Sequence, residues 1–123
     1  MFDRLTETAA PNTKLAQRGR ELNVRVLLRS DDDETLLTIH NGAVVEAKRG
    51  PLLMPSYDFA IEASAKEWNA FLQAVPLPGH HDIMALLRRG EMHFSGNLHP
   101  LMANLLYFKL LLASLRPTQE VPA

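Results

Sequence analysis

Tyr57-Asp58-Phe59-Ala60-Ile61-Glu62-Ala63-Ser64-Ala65-Lys66-Glu67-Trp68 changes its hydrophobic period part-way along. Tyr57, Phe59, Ile61 and Ala63 alternate with Asp58, Ala60 and Glu62, the period-2 mark of a strand. Ser64-x-x-Glu67 is then a capping box, in which side chains satisfy the first free N–H groups of a helix. Trp68, Phe71, Leu72 and Val75 follow at helical spacing and make one apolar face. Pro76, Pro78 and Gly79 stop that helix.

Upstream lies more strand. Leu22, Val24, Val26 and Leu28 alternate with Asn23, Arg25 and, in part, Leu27. The acidic run from Asp31 to Glu34 reads as a turn, and Thr35 to His40 as a second strand. Asn41-Gly42 is a type I′ hairpin signal, because that turn needs positive φ at both central residues. Ala43 to Lys48 returns as a third strand. Alternation does not choose the buried face of this hairpin: Leu36 and Val45 compete with Leu37, Ile39 and Val44. Gly50-Pro51 and Pro55 mark the loop before Tyr57.

Downstream, a short helix is expected from about His81 to Arg89, with Ile83, Leu86 and Leu87 inward and Gly90 closing it. Glu91 to Ser95 is a last strand with Met92 and Phe94 on one side. Gly96-Asn97 turns the chain, with Asn97 as N-cap and Pro100 in the first turn of a helix running to about Leu115. Strands joined by hairpins, with helices between and after them, define an α+β fold. Its sheet is largely antiparallel and its helices lie on one side. Residues 22–116 form the domain; residues 1–21 are an N-terminal segment with a short helix near Lys14 to Glu21, and residues 117–123 are a polar tail.

The terminal helix carries most information about use. Lys109 is the only formal charge from Met92 to Leu115. Leu98, Leu101, Met102, Leu105, Phe108 and Leu112 form one stripe, yet Ala103, Leu106, Leu110 and Leu111 fall outside it. A helix apolar nearly all round needs cover on more than one side. The sheet covers one side; a second subunit, a lipid, a membrane or more core covers the rest. The run holds Asn104 and Lys109 and falls short of the roughly 20 apolar residues a membrane span needs. Met84, Met92 and Met102 suit an adaptable cavity, because thioether chains repack around irregular ligands.

Composition removes other classes. The 123 residues are one domain's length, with 46% hydrophobic and 22% charged residues. No cysteine is present, which excludes disulfides and thiol chemistry and fits a reducing compartment. Thirteen basic and fourteen acidic residues leave a formal charge of −1 and no basic field for nucleic acid. Residues 1–14 lack the apolar core of a secretory signal, so the cytoplasm is the expected location.

Candidate chemistry is sparse. His80-His81-Asp82, His93 and His99 make no recognised metal-ligand spacing, so no metal and no cofactor is expected. Tyr57 and Asp58 alternate onto opposite strand faces, against an isomerase-like pair. Asp58 at a strand start suits an ion pair with Lys48 or Arg49. Ser95 and Ser114 lack a nucleophile elbow, and Gly19, Gly50 and Gly79 are isolated and build no phosphate loop. Arg88-Arg89 can meet an acidic head group, or simply complement a helix C-terminus.

Tyr57 to Leu112 resembles the sterol-carrier-protein fold. Asp58-Phe59-Ala60-Ile61 with Ser64-Ala65-Lys66-Glu67-Trp68 is similar to that family's strand with an early Asp and the helix after it. Asp82-Ile83-Met84-Ala85 with Gly90 resembles its second short helix and closing glycine. Gly90-Glu91-Met92-His93-Phe94-Ser95-Gly96-Asn97 resembles its last strand and turn. Asn97 stands where the family usually has Asp, and Glu91 where a basic residue is common.

The resemblance implies a five-stranded sheet roofed by helices, with a hydrophobic tunnel between them. It implies non-catalytic binding or presentation of a fatty acyl, sterol or isoprenoid ligand. The lining expected on this basis is Phe59, Ile61, Trp68, Phe71, Leu72, Ile83, Leu87, Met92, Phe94, Leu101, Met102 and Leu105. Two other readings stand beside it. One is a filled-core interaction module that forms a homodimer through the C-terminal helix; the other is a small cone-type isomerase using Asp58 or His93 as base. A partner enzyme, if one exists, is not legible.

Overall fold

The structure is a computed structural model and describes residues 2, 4–31, 33–50, 52, 55–73 and 83–116. The strands are β1 (Val24–Ser30), β2 (Asp33–His40), β3 (Ala43–Arg49), β4 (Phe59–Ala63) and β5 (Met92–Gly96). The helices are α1 (Leu5–Thr8), α2 (Lys14–Arg18), α3 (Ala65–Phe71), α4 (Ile83–Arg88), α5 (His99–Ala103) and α6 (Leu105–Ala113).

One five-stranded sheet has the order β3-β2-β1-β4-β5. β1/β2, β2/β3 and β4/β5 pair antiparallel, and β1/β4 pair parallel. β3 and β4 follow one another in the chain yet are separated in the sheet by β2 and β1. The Asn41-Gly42 turn has the expected φ values of 51° and 80°.

Register assigns the faces. Val26 lies opposite Leu37 on one side and Phe59 on the other, and Leu28 opposite Ile61, which lies opposite Phe94. These residues share a face with Val24, Ile39, Val44, Ala63 and Met92, and that face joins Trp68, Phe71, Ile83, Leu86, Leu101, Phe108, Leu111 and Leu112 in one core. The undecided hairpin face is Leu37, Ile39 and Val44. Alternation could not choose because β3 carries a bulge. Leu37 pairs with Ala47 and Ile39 with Val44, so Val45 is an extra, exposed residue and the phase changes along the strand.

The opposite sheet face carries Arg25, Arg29, Glu34, Glu46, Lys48 and Glu62, with Arg29 paired to Glu34 at 3.1 Å and to Glu62 at 3.8 Å. Leu27 and Ala60 also point that way, yet both are buried.

The N-terminal segment is packed. Phe2, Leu5 and Ala9 enter the core, and Val44 N–H donates to the Ala9 carbonyl at 3.0 Å, so this segment lies along β3. The capping box forms at α3, where Glu67 N–H donates to Ser64 Oγ at 3.2 Å. Trp68 Nε1–H donates to the Arg29 carbonyl at 2.8 Å, tying α3 to β1. Gly90 closes α4 at φ 75°, with its N–H on the Leu87 carbonyl and Glu91 N–H on that of Leu86. This is a Schellman motif, which satisfies free helix carbonyls.

Several boundaries differ from expectation. β1 begins at Val24 and not Leu22, β2 already at Asp33, and β4 at Phe59 and not Tyr57. The single long terminal helix is two, α5 and α6, broken at Asn104 (φ −127°). Asn104 Nδ2–H donates to the Pro100 carbonyl at 3.0 Å, so a side chain takes an acceptor from the helical ladder. The N-cap of α5 is Leu98, while Asn97 Oδ1 accepts from His99 N–H at 3.2 Å. Inward residues of these helices are Leu101, Tyr107, Phe108, Leu111, Leu112 and Leu115, whereas Met102 is exposed. The inward stripe is thus rotated from the expected one. α3 ends at Phe71 with Leu72 as its C-cap, short of the expected Val75. Residues 74–82, with the His80-His81-Asp82 cluster, and the tail at 117–123 lie outside the described residues.

Candidate functional site

Ten of the twelve expected lining residues join one apolar cluster between the sheet and its helical layer, and Leu87 and Met102 stand outside it. Phe59 and Ile61 come from β4, Met92 and Phe94 from β5, and Trp68 and Phe71 from α3, with Leu72 capping it. Ile83 and Leu87 come from α4, Leu101 and Met102 from α5, and Leu105 from the start of α6. Alternation on the strands and helical spacing on the helices put most of them on facing surfaces.

Their burial divides them. Phe59, Ile61, Trp68, Phe71, Ile83, Met92 and Leu101 are fully buried core. Leu72, Leu87, Phe94 and Leu105 are half-buried, and Met102 is 45% exposed. Aromatic rings brace the centre. Phe59 meets Phe108 edge-on at 5.2 Å, and Trp68 meets Phe2 at 4.9 Å and Phe71 at 6.0 Å. The Arg116 guanidinium lies 4.4 Å over the Phe71 ring and donates to the Phe71 carbonyl at 2.8 Å, which holds the end of α6 to α3.

Tyr107 and Phe108 are central residues that the sequence reading passed over or placed without a partner. Tyr107 is buried and its hydroxyl donates to the Gly42 carbonyl at 2.6 Å, joining α6 to the β2–β3 turn. Burial pushes its pKa from 10.0 up to about 12. The signal available was a lone polar atom inside an apolar helix, which needs a partner if buried.

An exposed apolar strip runs along the outside of α5 and α6. Met102, Leu106 and Leu110 are 45%, 60% and 37% exposed, at spacings of four residues. Half-buried Leu98, Leu105 and Phe94 border the core beside it. A cleft of about 420 Å³ lies at the helix break, lined by Arg18, Ala103, Asn104, Leu105, Leu106 and Tyr107. A second, of about 470 Å³, lies on the helix-free side over β1 and β2, with Arg25, Thr38, His40, Tyr57 and Asp58 at its walls.

Groups weighed for catalysis are outside the apolar interface. Asp58 is exposed, and its carboxylate accepts the Arg25 N–H at 2.8 Å. Its expected partners Lys48 and Arg49 are replaced by that backbone group, and Arg49 stands 3.7 Å from Asp33. His93 and Ser95 are exposed on β5, while Ser114 bonds to Thr8 at 2.8 Å. Arg89 lies 3.9 Å from Glu67. Among the described residues, no group of three or more His, Asp or Glu is placed to hold a metal. Every buried side-chain N or O atom there has a hydrogen-bond partner. No helix of the described residues is long and apolar enough to cross a membrane.

No protein-family model and no curated protein sequence matches the chain. Solved structures do. The crystal structure of sterol carrier protein 2 superposes with a TM-score of 0.74 at 17% identity, over 94% of this chain and 92% of that one. The UbiJ-SCP2 ubiquinone synthesis protein is similar at a TM-score of 0.56 and 16% identity, covering 90% and 88%. Sterol carrier protein 2 from Yarrowia lipolytica, in its apo form, gives 0.59 and 12% over 95% and 90%. Identity this low speaks to fold, and the fold is that of the sterol carrier proteins: an α+β, five-stranded mixed sheet with helices on one face.

Proposed function

We propose that this protein binds a hydrophobic ligand of the fatty acyl, sterol or isoprenoid type and presents or transfers it without catalysing a reaction. The ligand lies between the helical layer and the sheet, within the unit formed by residues 22–116. The observation that carries the reading is this interface. It is apolar and built on a sterol-carrier fold, and Leu72, Phe94 and Leu105 at its margin are only half-buried. The named neighbours include sterol carriers and a ubiquinone synthesis protein, whose names point to greasy molecules.

The energetics are adequate. Each CH₂ buried contributes roughly 0.8 kcal/mol, so a long acyl chain offers on the order of 10 kcal/mol before ordering costs. Micromolar binding needs about 8 kcal/mol. Admission of such a chain requires α5–α6 to swing from the sheet, and the break at Asn104 supplies a place to bend. Asp58 is exposed and accepts the Arg25 N–H, and His93 is exposed on β5, which speaks against either as the base of an isomerase.

Titration with a fluorescent fatty acid tests the proposal. Micromolar uptake is expected, with at least a tenfold loss in Leu105→Arg, which places a charge on the rim. Asp58→Asn should take up the probe as the parent does. A folded parent chain that takes up neither the fatty acid nor a fluorescent sterol would remove the reading.

A further inference from the structure

Charge is spread unevenly along this chain. No Asp or Glu occurs from Thr8 to Arg20 or from Met92 to Arg116, and the same two stretches hold Lys14, Arg18, Arg20, Lys109 and Arg116. The whole chain has thirteen basic and fourteen acidic residues, so the acidic surplus lies elsewhere. The fold brings the two stretches together. α2 packs on α6, and a Cβ at Gly19, the C-cap of α2, would sit 2.9 Å from the Tyr107 ring.

The exposed strip of Met102, Leu106 and Leu110 belongs to this acid-free part. Arg18 lines the cleft at the helix break together with Ala103 and Leu106. Arg20 joins Arg18 in the neighbouring cleft beside Asn104, with Glu21 next to them. Arg18 and Arg20 are exposed and make no ion pair among the described residues. On the sheet, by contrast, Arg29 and Arg49 each face a carboxylate. Apolar side chains left in water beside uncompensated cations suit a partner that is both greasy and anionic.

We propose that the α5–α6 strip is a docking surface for an anionic lipid bilayer. Met102, Leu106 and Leu110 enter the boundary between head groups and acyl chains, while Arg18 and Arg20 reach the lipid phosphates. Attachment is at the surface, since no helix of the described residues is long and apolar enough to cross. A second copy of this chain suits the strip less well. Paired about a two-fold axis, it would bring its own Arg18 and Arg20 to the same border, cation against cation, whereas an anionic surface neutralises them. The three strip residues lie outside the apolar cluster that holds the ligand in the carrier reading. Docking extends that reading to the source of the ligand, yet vesicle attachment and ligand uptake are separate measurements.

Flotation of the full chain with vesicles of equal parts phosphatidylcholine and phosphatidylglycerol tests this. The parent should float with them. Attachment should be at least tenfold weaker to phosphatidylcholine alone, and also at high salt, which screens the arginines. Leu106→Glu and Arg18→Glu should each weaken attachment at least tenfold. Arg18→Lys should attach as the parent does, and so should Lys48→Glu, which changes a charge on the opposite sheet face. In vesicle-free buffer all four variants should match the parent in uptake of a fluorescent fatty acid, so a failure of the carrier reading shows there and not in the flotation. A parent that stays off anionic vesicles, attaches equally to both kinds, or is matched by Leu106→Glu overturns the proposal. Sedimentation equilibrium adds one more arm. A parent dimer that Leu106→Glu turns into a monomer, with neither floating, assigns the strip to a second copy and overturns the proposal as well.

Discussion

Tyr107→Phe removes one oxygen from the joint between α6 and the β2–β3 turn. The hydroxyl donates to the buried Gly42 carbonyl at 2.6 Å, and a Cβ at Gly19 would sit 2.9 Å from the ring, so the site has little slack. Losing the bond leaves that carbonyl short of a partner, which costs about 1–2 kcal/mol. For a chain of this size that lowers Tm by roughly 3–8 °C. Urea unfolding followed by Trp68, the single tryptophan, measures it. The pH dependence gives a second readout. Burial raises the Tyr107 pKa from 10.0 to about 12. Between those values the unfolded chain has released this proton while the native chain keeps it, so native stability falls as pH rises. The phenylalanine variant has no such proton, and the stability gap seen at pH 7 should narrow above pH 10. A variant as stable as the parent at pH 7, or a gap constant from pH 8 to pH 11, would refute this account of the joint.

Gly42→Ala should be severe. The residue sits at φ 80° and its Cβ would clash with the Ala16 carbonyl oxygen and the Gly19 backbone, so a loss of about 3 kcal/mol or more is expected in the same unfolding assay. Ser64→Ala deletes the α3 cap and should cost about 1 kcal/mol, measured the same way, with ligand uptake retained. Asp58→Ala should cost about 1 kcal/mol through the lost Arg25 N–H bond and leave uptake unchanged, which a fluorescent fatty acid titration reads.

The sequence was most legible where local rules act alone. Tyr57 to Ala63 alternates because one sheet face is covered, Ser64 caps because N–H groups at a helix start need acceptors, and Asn41-Gly42 turns because both residues tolerate positive φ. The pairing of β1 with β4 is parallel and non-local, and no short-range signal specifies it. The bulge at Val45 scrambled a face that regular alternation would have assigned. On α5 and α6 a nearly continuous apolar surface carries no phase. The inward residues Tyr107 and Leu111 could not be told from the outward Leu106 and Leu110, and the break at Asn104 was hidden in an otherwise helical run. Phe2 and Leu5 belong to segments too short to show a period, so their burial in the core left no mark. Expected lining residues on β4 and α3 lie deep in the interface, and those on α5 and α6 diverge, for the same reason of lost phase.

Native mass spectrometry of the purified full chain, followed by organic extraction and lipid identification, tests hydrophobic-ligand binding most directly. An acyl, sterol or isoprenoid species present in near-stoichiometric amount is the predicted result. A protein that carries no such species, and remains unliganded after incubation with lipid vesicles containing fatty acid and sterol, would contradict it and leave the interface as packed core.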